Sequence, residues 1–178
     1  MSDPRGTAAG PPGGIAIVGM AGRFPGAPGI GELWQLLRQG VDAVAEPTDE
    51  ELERAGVAAV VRRDPRYVRA AARLRDVELF DAGFFGLTLR EAELMDPQHR
   101  LFLECAWHAL ESAACDPAAF DGSIGVFAGS SLSGYLLHHL APRLDFSGSV
   151  ANLLALTGND KDYLASPWPT SSICAAPR

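Results

Sequence analysis

The segment 91–107 constrains the fold of this chain more than any other part of the sequence. It contains Asp96-Pro97, which predicts a helix start, because aspartate caps free backbone amides and proline is tolerated at the first helical position. Between Leu101 and Leu110, apolar side chains then cover most of the helix circumference. A helix of this kind normally lies deep in a fold. The sequence therefore predicts one long, buried helix that other elements must cover.

Two short apolar runs predict strands on either side of this helix in the sequence. Ile15 to Met20 is rich in β-branched residues, and Ile124 to Ala128 is a second uninterrupted apolar run. Such runs are typical of strands that are buried on both faces. Because strands alternate with helices along the chain, we expect an α/β fold in which helices cover a largely parallel sheet.

Shorter helices are predicted from spacing and capping signals. The first follows a loop over 22–31, ends near Gly40, and carries apolar positions at helical spacing: Leu33, Trp34, Leu36 and Leu37. Thr48, with Glu51 three residues later, forms a capping-box pattern that predicts a helix over 48–55. The remaining expectations are an irregular segment over 77–85, helices over 135–140 and 160–165, and a polar break at Gly158-Asn159.

Charge and cysteine content exclude several classes of function. The net charge of −7 argues against non-specific nucleic-acid binding, since no basic stripe is present to neutralise phosphates. The local set of arginines is flanked by acidic residues and predicts a solvated helix face: Arg62, Arg63, Arg66, Arg69, Arg73 and Arg75.

The same sequence predicts a cytoplasmic protein. No secretory signal precedes the first strand, and no apolar stretch approaches the roughly 20 residues needed to cross a bilayer. Three cysteines, Cys105, Cys115 and Cys174, form neither a metal spacing nor an even disulfide set. A reducing compartment fits this cysteine content.

No residue is assigned as catalytic, cofactor-binding or metal-ligating. Counted from Gly19, the glycines of a dinucleotide fingerprint would fall on Ala21 and Phe24, so a nucleotide site is disfavoured. The four histidines lack zinc-site spacing and are interpreted as solvated or packing side chains: His99, His108, His138 and His139.

The cysteines are the other chemical candidates. Cys105 is expected to be an inert core thiol, and Cys115 has no neighbour in the sequence that would activate it. Cys174 lies in a Ser-Ser-Ile-Cys-Ala-Ala run, but its proline-rich surroundings offer neither a base nor oxyanion donors.

Several motifs together resemble the start of a β-ketoacyl synthase from a modular type I polyketide synthase. They cover residues 15–166 and are as follows: Ile15-Ala-Ile-Val-Gly-Met20, Arg23-Phe-Pro-Gly26, Val77-Glu-Leu-Phe-Asp-Ala-Gly-Phe-Phe-Gly86, the segment 91–107, Gly125-Val-Phe-Ala-Gly129 and Gly158-Asn-Asp-Lys-Asp-Tyr-Leu164. The resemblance implies the N-terminal half of a thiolase-like fold. It also implies a homodimer, because members of the family usually form one.

The resemblance also implies a chemistry. Members of the family transfer an acyl chain from the phosphopantetheine arm of an acyl carrier protein to a cysteine. They then condense it with a malonyl carrier thioester, assisted by two histidines, in polyketide or fatty acid biosynthesis. Nothing after Ser166 matches the family pattern, so neither the cysteine nor the histidines can be assigned here. We therefore expect a chain that is inactive by itself and binds no cofactor of its own.

The predicted organisation has three parts. Residues 1–14 form a Gly- and Pro-rich lead-in, residues 15–166 form the truncated synthase domain, and residues 167–178 form a tail unlike the family. Synonymous codons can be chosen from Ser166 onward such that the insertion of one base shifts the reading frame. The shifted frame then translates as S-R-V-A-Y-Q-L-D-L-R-G-P, which resembles the family's continuation. The tail is therefore predicted to be out of frame.

Two alternative functions remain open at this stage. The chain could be a non-catalytic module that docks a carrier protein or a partner subunit. It could also act as a hydrolase or transferase through Cys174.

Overall fold

The structure, a computed structural model, describes residues 14–144 and 150–165. Within these ranges it contains six α-helices: α1 (Ile30–Gln39), α2 (Asp49–Arg54), α3 (Ala59–Arg62), α4 (Leu89–Leu94), α5 (Pro97–Ser112) and α6 (Val150–Thr157). A π-helical turn spans Leu136–Leu140, and 3₁₀ turns span Ala141–Arg143 and Lys161–Tyr163.

The predicted local helix signals are confirmed. Thr48 Oγ1 accepts a hydrogen bond from the Glu51 amide at 3.2 Å, and the Glu51 carboxylate accepts one from the Thr48 amide at 2.9 Å. This capping box satisfies two free donors at the start of α2, and Thr88 with Glu91 repeats it at α4. At the other end of α1, Gly40 has φ 65°, a left-handed conformation that glycine adopts without strain.

Helix α5 begins at Pro97 as predicted and is the longest helix among the described residues. Asp96 accepts a hydrogen bond from the Gln98 amide at 2.7 Å, which caps the first turn. The expectation that α5 is buried on all sides is wrong, because only His99 and Leu103 are buried. One face packs against residues 80–95, and most of its other apolar side chains are only half-buried.

The two predicted strands do not form among the described residues. Neither 15–20 nor 124–128 has regular secondary structure, and Ile15 and Phe127 are each 97% exposed. The prediction of burial on both faces is therefore wrong for these segments in this structure. A strand is stabilised by neighbouring strands, and no described segment pairs with either one. The bridges that do occur are isolated and join Phe24 to Ala27 and Ala45 to Ala71.

Most arginines of the arginine-rich segment are exposed, whereas Arg62 and Arg69 are half-buried. The segment is not one helix face, since helix α3 ends at Arg62. Three of its arginines form ion pairs with acidic residues of α2: Arg62 with Glu53, Arg69 with Asp49 and Arg73 with Glu51. The charge cluster therefore neutralises itself locally, as the flanking acidic residues suggested.

Two apolar clusters form the core, and α4 contributes to both. The first joins the irregular segment 80–87 to α4 and α5 and includes the stacked rings of Phe80 and Phe85, 5.1 Å apart. The second joins Leu94 of α4 to Leu140 and to Ala155 of α6. The irregular segment predicted over 77–85 is thus confirmed, whereas α6 was not predicted.

Candidate functional site

The corner between α4 and α5 holds a group of buried polar side chains. Asp96, His99, Ser133 and Asn159 are each less than 7% exposed. They come from three separate stretches of the chain, which the second apolar cluster brings together. Buried polar groups need hydrogen-bond partners, so this group fixes how the three stretches meet. We call these four residues the polar corner.

Asn159 is the centre of the polar corner. Its side-chain amide donates to the carbonyl of Leu94 at 2.6 Å and to that of Ala155 at 2.7 Å. Its side-chain oxygen accepts a hydrogen bond from Ser133 Oγ at 2.9 Å. The Asp96 amide adds a backbone bond to the Gly158 carbonyl at 2.9 Å. The sequence predicts a polar break and the start of a family motif at Gly158-Asn159, but it assigns no contact to the Asn159 side chain.

His99 is buried in the first turn of α5, where burial lowers the pKa of its imidazole. The carboxylates of Asp96 and Asp160 oppose this shift but do not reverse it. The sequence predicts solvated or packing side chains for all four histidines, and His99 is a packing one. The other three histidines are exposed, and the ring of His139 lies 5.5 Å from that of Tyr135.

The cysteines within the described residues lack the surroundings of a nucleophile. Burial and the nearby Glu104 carboxylate raise the pKa of the Cys105 thiol, with Arg23 acting weakly in the opposite direction. Since the thiolate is the nucleophilic form, Cys105 is held in its unreactive state. Cys115 lines a cavity of about 300 Å³ together with Trp107, Glu111 and Asp116. Cys174 lies outside the described residues.

Arg23 links three parts of the fold. Its guanidinium donates to the Glu104 carboxylate of α5 at 3.1 Å and to the backbone carbonyls of Arg75 and Asp76. Both charged side chains are about a fifth exposed, so the pair is partly shielded from solvent. This arginine belongs to the Arg-Phe-Pro-Gly motif, and its contacts indicate a structural role in positioning α5.

Gly19 explains why the glycine-containing run 17–22 is not a nucleotide loop. A Cβ atom added at Gly19 would lie 2.5 Å from the Ala109 carbonyl oxygen and 2.7 Å from the Ala113 nitrogen. The glycine therefore allows the backbone to pack directly on α5, and it leaves no room there for a phosphate. Among the described residues, no three His, Cys, Asp or Glu side chains form a metal-binding group.

An apolar cavity of about 330 Å³ lies against α5, and we call it the α5 slot. Its lining comes from three segments and contains only apolar residues: Val18, Gly19, Phe102, Ala106, Ala109, Leu110, Ala113, Ile124, Gly125, Val126 and Phe127. The segments that border it are the two runs that the sequence predicts as strands. The slot therefore lies between α5 and these two unpaired runs.

Within 14–144 and 150–165, none of the helices has the length and apolar character that a bilayer span requires.

Comparison with known proteins gives one consistent result. The sequence profile of the β-ketoacyl synthase N-terminal domain matches residues 13–176. Over 158 residues, which cover 85% of this chain, the chain is 51% identical to a phenolphthiocerol/phthiocerol polyketide synthase of Mycobacterium tuberculosis. Over 129 residues, 68% of the chain, it is 46% identical to the pikromycin polyketide synthase component PikAIII of Streptomyces venezuelae. The matched parts are 11% and 8% of those proteins.

A solved structure matches most of the chain as well. The oxazolomycin ketosynthase domain OzmH KS7 of Streptomyces albus JA3453 aligns with 88% of this chain at a TM-score of 0.68 and 30% identity. The alignment covers 27% of that ketosynthase chain. The predicted fold class, a partial thiolase-like α/β fold, is confirmed by this likeness.

Proposed function

The chain belongs to the β-ketoacyl synthase family, and from that premise we propose that it contributes the N-terminal part of a ketosynthase of polyketide biosynthesis. The complete enzyme would condense an acyl thioester with a malonyl thioester, in polyketide or in fatty acid biosynthesis. The observation that carries this proposal is the continuous family match over residues 13–176, supported by 51% identity to a mycobacterial polyketide synthase.

We assign a structural role in this enzyme to the described residues. A condensing enzyme of this kind needs an activated nucleophile and a base within hydrogen-bond reach. The raised pKa of the Cys105 thiol disfavours its thiolate form, and His99 is almost fully buried, so neither side chain is suited to those roles. By contrast, Arg23 and Gly19 contact α5 directly, and Asn159 holds the end of α6 against Leu94 of α4. In this proposal the chain does not condense thioesters by itself.

The proposal includes partners. The acyl and malonyl groups would arrive as substrates on the phosphopantetheine arm of an acyl carrier protein, and the complete ketosynthase would form a homodimer in the cytoplasm. These partners are supported by the family match and by the polyketide synthases to which the chain is similar.

The test is a reconstitution with acyl and malonyl carrier proteins, followed by mass spectrometry of both proteins. We expect neither an acylated form of the chain nor a condensation product, whereas an intact related ketosynthase domain gives both. Acylation of Cys174 or product formation by the chain alone would contradict the proposal. Saturable binding of a carrier protein without acyl transfer would instead support the alternative of a docking module.

A further inference from the structure

Residues 131–144 and 150–165 dock on one short stretch of the chain, and we call these two ranges the docked unit. The stretch is residues 93–98, where α4 ends and α5 begins, and we call it the junction. Hydrogen bonds between the two, with the donor written first, are as follows: Tyr135 Oη to the Glu93 carbonyl at 2.7 Å, the Asn159 side-chain amide to the Leu94 carbonyl at 2.6 Å, the Asp96 amide to the Gly158 carbonyl at 2.9 Å, and Ser131 Oγ to Gln98 Oε1 at 3.0 Å. Each of these contacts ends on the junction.

The docked unit is also held together by contacts of its own. Ser133 Oγ donates to Asn159 Oδ1 at 2.9 Å, which links the residues before the π-helical turn to the end of α6. Leu140 and Ala155 pack in the second apolar cluster, in which Leu94 is the only described residue from outside the docked unit. A segment with many internal contacts that meets the rest of the chain at one place can open as a single cooperative unit.

His99 follows the junction directly and is 3% exposed. The charged groups that act on its imidazole come from both sides of the contact, Asp96 from the junction and Asp160 from the docked unit. Burial lowers the pKa of the imidazole, and these two carboxylates do not reverse the shift. The ammonium group of Lys161, the next residue after Asp160, is engaged by Asp162. The ring therefore lies where the docked unit meets the junction, and a proton on it is disfavoured there.

We propose that the docked unit leaves the junction as one body when His99 takes up a proton. Undocking returns the imidazole to water and separates it from Asp160. Because burial outweighs the attraction of the carboxylates, the protonated ring favours the open form. The population of this form rises as the pH falls below the usual imidazole pKa of 6.5, and it levels off once the docked form is protonated as well. This conformational change belongs to the chain itself and does not depend on the proposed function.

Hydrogen–deuterium exchange of the whole chain, measured peptide by peptide with mass spectrometry from about pH 7.5 to about pH 5, tests the proposal. The rates are corrected for the intrinsic effect of pH on exchange. Peptides from the docked unit should lose protection by up to about tenfold per pH unit below the usual imidazole pKa, the limit for uptake of one proton. Peptides from the second half of α5, residues 104–112, should keep their protection, because their helical hydrogen bonds do not involve the docked unit.

Variants assign the response to one side chain. His99→Gln should make the protection of the docked unit independent of pH in this range, because the titrating group is gone. His108→Gln is the matched control, since His108 is an exposed histidine of the same helix, and it should behave like the unmodified chain. Tyr135→Phe removes the hydrogen bond to the Glu93 carbonyl. It should lower the protection of the docked unit by about two- to tenfold at every pH and leave the pH dependence in place.

Three results would overturn the proposal. The first is protection of the docked unit that does not change with pH in the unmodified chain. The second is a pH dependence that persists in His99→Gln. The third is a parallel loss of protection in the docked unit and in residues 104–112, either on acidification or in Tyr135→Phe, because the chain would then unfold as a whole. This third readout does not need the His99 variant, so the one-body opening is tested even if that variant does not fold.

Discussion

Among the glycines that the structure describes, Gly19 is the one at which an added Cβ would come closest to another atom. In Gly19→Ala the new Cβ would lie 2.5 Å from a backbone oxygen of α5, so the segment must shift away from the helix. We expect a loss of about 1–3 kcal/mol in the free energy of unfolding, the range seen for overpacked sites. Urea unfolding followed by tryptophan fluorescence measures this change.

Gly31→Ala is the matched control for Gly19→Ala. Gly31 lies inside α1, and an added Cβ meets no atom within 4 Å. Alanine has the higher helix propensity, so this variant should gain up to about 1 kcal/mol. Equal losses in the two variants would show that direct packing on α5 is not the reason for Gly19.

His99 makes the stability of the chain depend on pH. Burial lowers the pKa of its imidazole below the usual 6.5 in the folded chain, whereas the unfolded chain keeps the usual value. As the pH falls below 6.5, the unfolded chain takes up a proton that the folded chain takes up only at lower pH. The free energy of unfolding therefore decreases as the pH falls from 6.5 to the lowered pKa. Above pH 6.5 the contribution of His99 to stability is complete.

Urea unfolding at a series of pH values across this window tests the assignment. His99→Gln should flatten the dependence just below pH 6.5, because the titrating group is gone. A slope that is unchanged in His99→Gln would mean that another group is responsible.

At the scale of secondary-structure elements, Asn159 ties the end of α6 to the junction of α4 and α5. Asn159→Ala removes three hydrogen bonds and leaves the buried carbonyls of Leu94 and Ala155 without these donors. We expect a loss of about 2–4 kcal/mol in the free energy of unfolding, since each unsatisfied buried group costs about 1–3 kcal/mol. Ser133→Ala removes a smaller part of the same network and should cost less. A loss in Asn159→Ala no larger than in Ser133→Ala would contradict this role.

The elements predicted correctly from the sequence are those with local signals. The capping box at Thr48, the Asp96-Pro97 start of α5 and the Gly40 stop of α1 involve residues within one turn of each other. The capping box at Thr88 and helix α4 were not predicted, although Thr88 and Glu91 have the same spacing as Thr48 and Glu51.

The elements predicted wrongly depend on distant partners. The runs 15–20 and 124–128 have strand-like composition, but a strand also needs a neighbour, and composition does not show whether one is present. Helix α6 was missed because Val150 to Thr157 is apolar on most of its surface and has no clear helical periodicity. The role of Asn159 was missed because two of its three hydrogen-bond partners are distant in the sequence. They are 26 and 65 residues away, and the third is 4 residues away.

At the scale of the whole molecule, the origin of the tail, residues 167–178, leads to a prediction about the gene. We propose that residues 167–178 are translated out of frame, because their composition differs from that of the preceding α/β elements, although the family profile extends to residue 176. The DNA that encodes Ser166 onward should then restore the pattern S-R-V-A-Y-Q-L-D-L-R-G-P when one base is inserted. If neither shifted frame gives this pattern, the tail belongs to the protein and the proposal is wrong.

The distribution of exposed apolar side chains predicts how the isolated chain behaves in solution. Val18 and Phe127 expose 74% and 97% of their surface beside unpaired backbone, whereas Val60 and Val68 expose 78% and 76% in a region rich in charge. Apolar surface beside a free strand edge promotes association, while scattered apolar side chains are tolerated. We therefore expect the double variant Val18→Lys/Phe127→Lys to lower both hydrophobic-dye fluorescence and light scattering strongly. The control Val60→Lys/Val68→Lys adds the same charge and should lower them only slightly. If the two variants act equally, net charge and not the α5 slot governs the solubility of the chain.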